Sequence, residues 1–181
     1  MFKLRLKQEL LLRKYKKNYR LITILLVVII VCIIGYFMSI SPKPDPVPKS
    51  IQNRVSFTIF YPVPSQQTVF KQDSFKYNKS LSQITFVVNF DKRNITFAEQ
   101  STPGSFNSSP SFYQSFVQKL GGYATFDAVN GRVDLTLPIQ TEEQTAIMNA
   151  KGTLLFANSS GKISENNWKL LFNSVNNIQP K

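Results

Sequence analysis

The 181-residue chain contains no histidine. Imidazole is the side chain that titrates nearest neutrality and the commonest nitrogen ligand for metals, so His-based acid–base catalysis, His-containing triads and His metal sites are excluded. There is one cysteine, Cys32, which leaves no intrachain disulfide, and an outer domain must be stabilised by its core alone. Glycine is sparse, at seven residues, and no G-x-x-x-x-G-K or G-x-G-x-x-G pattern occurs; Gly121-Gly122 reads as a helix stop. Acids number ten against 22 basic residues. Carboxylate chemistry would have to use Glu99, Asp127, Asp134, Glu142 or Glu143, and a paired-carboxylate hydrolase needs two of these about 5 to 9.5 Å apart in a cleft. Neither a cofactor nor a metal is predicted.

One stretch lacks charge altogether. Residues 21–40, LITILLVVIIVCIIGYFMSI, would form a helix roughly 30 Å long, matching a bilayer's hydrocarbon thickness, and read as a transmembrane helix. A cleaved signal is the rival, with Ser39-Ile40-Ser41 as a small-x-small site, but its apolar core would be only about 7 to 15 residues. Residues 1–20 carry eight basic residues against Glu9, a net +7 of the chain's +12. Such residues flanking a span are retained in the cytoplasm. The reading is a single-pass cell-membrane protein with a basic cytoplasmic arm and its C-terminal domain outside. Arg13, Lys14, Lys16, Lys17 and Arg20 are placed at the membrane interface, against anionic head groups of the lipid bilayer. The arm reads either as an interfacial amphipathic helix or as a solvated tail. Nucleic acid is not predicted as a partner, because the charge is juxtamembrane rather than spread over a domain.

Residues 41–52 open with proline at 42, 44, 46 and 48. Alternate prolines remove amide donors and favour extended backbone, so this segment is expected to be a stiff stalk. An extracytoplasmic domain follows over 53–181. Period-two alternation predicts strands at 55–61, 74–77, 81–90, 95–100, 123–129, 132–137, 145–149 and 153–157. Phe112, Tyr113, Phe116, Val117 and Leu120 predict an amphipathic helix over 111–120. A second helix begins at Ser164 as N-cap, with Ile163 and Trp168 at staple spacing and Trp168, Leu171, Phe172 and Val175 as its stripe. The fold class is α+β: a curved, mostly antiparallel sheet of about six to eight strands with two helices packed on one face, preceded by one transmembrane helix.

Phe57-Thr58-Ile59-Phe60-Tyr61-Pro62, Ile95-Thr96-Phe97-Ala98-Glu99-Gln100 with Pro103, and Gly152-Thr153-Leu154-Leu155-Phe156 with the terminal helix resemble an extracytoplasmic domain of unknown function. It occurs in short single-span bacterial membrane proteins, similar in outline to outer domains of some anti-sigma and sporulation-associated proteins. A Gly-aromatic turn often follows the first Tyr-Pro there, and Val63-Pro64-Ser65-Gln66-Gln67 lacks it. The resemblance implies a sheet with packed helices and no chemistry. The expected function is binding of an envelope protein or ligand; the alternative is a carboxylate-dependent cell-envelope hydrolase. The candidate surface is the aperiodic stretch 101–110 with its flanks, in which Glu99 and Gln100 offer polar contacts and Phe106, Phe112 and Tyr113 apolar area.

Overall fold

A computed structural model describes residues 27–33, 45–137 and 143–180. The chain divides into two compact units, Met1–Pro44 and Asp45–Lys181. Within the first, residues 27–33 are helical (α1), and Val27, Val28, Ile29, Ile30, Val31 and Ile33 are exposed. The remainder of the expected span, the basic arm and residues 41–44 lie outside the described residues. Among the described residues no helix is long and apolar enough to cross a membrane.

The second unit begins earlier than the prolines suggest. Lys49–Gln52 forms one helical turn, α2. Val47 and Ile51 enter the main core, and Tyr61 Oη donates to Asp45 Oδ1 at 3.0 Å. Residues 45–52 therefore belong to the folded domain and are not stalk. The competing signal was two apolar side chains, whose burial outweighs the extended bias of the prolines around them.

The strands are β1 Ile59–Pro62, β2 Thr68–Phe70, β3 Lys76–Asn78, β4 Gln83–Phe90, β5 Arg93–Ser101, β6 Gly122–Ala128, β7 Gly131–Thr136, β8 Gln144–Ala150, β9 Thr153–Ser159 and β10 Val175–Ile178. The helices are α3 Gly104–Ser108, α4 Pro110–Lys119 and α5 Glu165–Asn173. An eight-stranded sheet has the order β2-β4-β5-β9-β8-β7-β6, with β3 also on β4, and β1 pairs β10 separately. All pairings are antiparallel. Two hairpins close through left-handed residues, Asp91 and Lys92 before β5, and Lys151 and Gly152 before β9, as turns matched to strand twist require.

Alternation sorts the two faces of this sheet. On one face lie Ile84, Phe86, Val88, Ile95, Phe97, Val133, Leu135, Met148 and Leu155, covered by β1, β10 and α5 in the main core. On the other, Ile147 and Leu154 meet Val117 of α4, with Phe106, Tyr113, Phe116 and Phe156 around them. The helices thus sit on opposite faces, correcting the expectation of one shared face. α5 starts as predicted: Asn167 N–H donates to Ser164 Oγ at 3.2 Å, and Ile163 and Trp168 are buried. Gln144 Oε1 accepts from both Ile163 N–H and Trp168 Nε1–H at 2.8 Å, which fixes α5 on β8. The helix ends at Asn173 and the chain turns into β10.

Candidate groove between α4 and the β6 edge

Pro110 occupies the first turn of α4, where its missing amide leaves no bond unmade. At the far end Gly121, at φ 77°, turns the chain back into β6. This return brings α4 close to β6: a Cβ on Gly122 would stand 2.8 Å from Val117 Cγ1 and 3.1 Å from Val117 O. Between helix and strand lies a groove of about 370 Å³ lined by Tyr113, Gln114, Val117, Thr125, Arg132 and Asp134 among others.

The polar fittings of the groove come from β7 and α4. Arg132 and Asp134, two apart on a strand, point to the same side, and Arg132 Nε contacts Asp134 Oδ1 at 3.3 Å. Tyr113 Oη donates to Asp134 Oδ2 at 2.8 Å. Burial, and secondly the Asp134 carboxylate that accepts its proton, push the Tyr113 phenol well above its ordinary pKa. It is therefore a fixed donor and not a base. Asp134 is almost fully buried, while the Arg132 side chain is 59% exposed, so the cation is the accessible member of the triplet. β6 itself lies at the end of the sheet order, pairing only with β7 among the described residues.

The residues singled out from sequence separate. Phe106 and Tyr113 do meet, with ring centroids 5.6 Å apart and edge to face, and Phe116 completes the cluster. Phe106 lies in α3, because the expected aperiodic loop contains a helical turn. Phe112, on the outer side of α4, is 59% exposed. Gln100 is half-buried beside Gln83.

Glu99 belongs to the other face entirely. It alternates with Phe97 into the main core and is completely buried; Phe60 N–H donates to its Oε2 at 3.0 Å. Its Oε1 has no hydrogen-bond partner among the described residues. Desolvation raises the Glu99 pKa well above the ordinary carboxylate range, only partly opposed by the Phe60 amide. Glu99 and Asp134 stand on opposite sides of the sheet, so they form no carboxylate pair. Asp127 and Glu143 are exposed, Glu142 lies outside the described residues, and so do Arg13, Lys14, Lys16, Lys17 and Arg20.

Arg132 and Asp134 could have been found from their i, i+2 spacing within a predicted strand. Tyr113 was singled out for its apolar area, but its bond to Asp134 could not be read, since only the fold brings α4 over β7. The structure defines the chain as an α+β protein built on a largely antiparallel sheet. No protein-family model, curated protein or solved structure matches it.

Proposed function

We propose that the chain is a single-pass membrane-anchored protein that displays an extracytoplasmic binding domain. The reading of its placement comes from the +7 arm before the uncharged residues 21–40. The observation that carries the binding role is the groove beside β6, where Asp134 already accepts bonds from Tyr113 and Arg132. A carboxylate so engaged holds Tyr113 and the accessible Arg132 in place rather than acting as a nucleophile or general base. A groove that combines the apolar Pro110 and Val117 with a few fixed polar groups suits holding a ligand.

The placement is tested with a membrane-impermeant amine reagent on intact cells producing the full chain. Lysines of the second unit, such as Lys151 and Lys162, are expected to be labelled before permeabilisation, and Lys3 only after it. Labelling of Lys151 and Lys162 that appears only after permeabilisation would overturn the reading.

A further inference from the structure

We infer that the ligand of this groove is a segment of polypeptide in extended conformation, added as a strand to the edge of β6 that is unpaired among the described residues, with a side chain in the groove below α4. The inference rests on the binding role proposed above.

The two ends of the sheet are treated differently. At the β4 end the edge is blunted by two three-residue strands, β2 and β3, with a short 3-10 turn between them. Short interrupted edge strands are a common protection against unwanted pairing. β6 is seven residues long, GYATFDA, with neither proline nor lysine. Ala128 faces Gly131 across the two-residue turn, and the register runs on through Phe126 opposite Val133. In an antiparallel pair closed this way, bonded and non-bonded positions alternate. The amides and carbonyls of Thr125 and Asp127 therefore point away from β7, towards the open side, and both residues are exposed.

Such a row of main-chain donors and acceptors is complementary to another extended backbone. A small molecule or sugar has no reason to match its period. The irregularity between Gly122 and Ala124 bends the start of the strand and limits a partner to the stretch beyond it. The groove runs alongside that same stretch, with Pro110 and Val117 of α4 as its apolar wall, Thr125 of β6 beside it and the exposed Arg132 within it. Main-chain bonds along an edge with a side-chain pocket between strand and helix form a complete peptide-recognition surface, the first giving affinity and the second choice of sequence.

The test pans phage-displayed random twelve-residue peptides against the full chain in detergent micelles, then measures the enriched peptides as free fluorescent probes. Expected is binding that falls at least tenfold when alternate peptide amides are N-methylated, and equally with Thr125→Pro, a proline at an outward-facing edge amide that leaves the β7 ladder intact. Gln114→Trp, an exposed helix position filling the groove, is expected to lose binding with the edge untouched, so the outcome does not depend on how Thr125→Pro folds. Binding insensitive to N-methylation and to both substitutions overturns the proposal, as does failure to enrich any peptide. A dimer by light scattering that Thr125→Pro dissociates, with no peptide enriched, assigns the edge to a second copy and also overturns it. Purified protein has no sidedness, so failure here is distinguishable from failure of the membrane placement.

Discussion

Burying Glu99 beneath β1 links one proton to folding. Its folded-state pKa lies above the value it would have in the unfolded chain, so the folded state holds a proton that the unfolded state releases. The stability contributed by this group is fully present below the unfolded pKa of about 4.3 and is lost as pH rises towards the folded value. Glu99→Gln keeps the shape and removes the titration. Its denaturant midpoint is expected to match that of the parent near pH 4 and to exceed it increasingly towards pH 8. Equal pH dependence in the two proteins would mean that Glu99 titrates alike in both states. Sequence alternation placed Glu99 at a strand end, but not on which face, and a carboxyl is the side chain least expected in a core. Gln144 was equally hidden: nothing in its neighbourhood announces that its Oε1 joins Ile163 and Trp168.

Among the elements, hairpins and amphipathic helices were the most legible, because their signals are local. β4 and β5, β6 and β7, and β8 and β9 fall close to the alternating segments. The end of α5 was not legible in the same way. Val175 continues the stripe of Trp168, Leu171 and Phe172, yet it begins β10, where it is buried by pairing opposite Pro62. Gly121-Gly122 read as a stop, and the second glycine also serves contact. Gly122→Ala presses a methyl into Val117 Cγ1 and the carbonyl behind it, and overpacking of this kind is expected to destabilise by about 1–3 kcal/mol. Urea unfolding measures it. A change within about 0.5 kcal/mol would show that α4 shifts freely on β6.

At the scale of the whole molecule, the least legible features are those made by distant residues: β9 beside β5, β1 beside β10, and the two helices on opposite faces. No local period encodes such pairings, whose loops must close before any contact forms. The domain boundary follows the same logic, since Val47 and Ile51 show their role only once the core they enter exists. A chain beginning at Asp45 is expected to exceed one beginning at Asn53 in unfolding free energy by about 3 kcal/mol, from two apolar side chains at about 1.5 kcal/mol or more each. Equal stability would return residues 45–52 to the stalk.

The antiparallel ribbon of β1 and β10 sets Ile59 opposite Ile178 and Pro62 opposite Val175. The chain therefore enters and leaves this ribbon at the same end. Tension between an anchor ahead of residue 59 and a grip beyond 178 runs across the rungs, loading them singly, as in a zipper, instead of sharing the pull among all of them in shear. Ahead of the ribbon the pull first meets Val47, Ile51 and Phe57 in the core and the bond that Thr58 O accepts from Thr153 Oγ1 of β9. Only once these give way does the ribbon open, and Phe60, released from β10, then draws on the bond that Glu99 accepts from its amide.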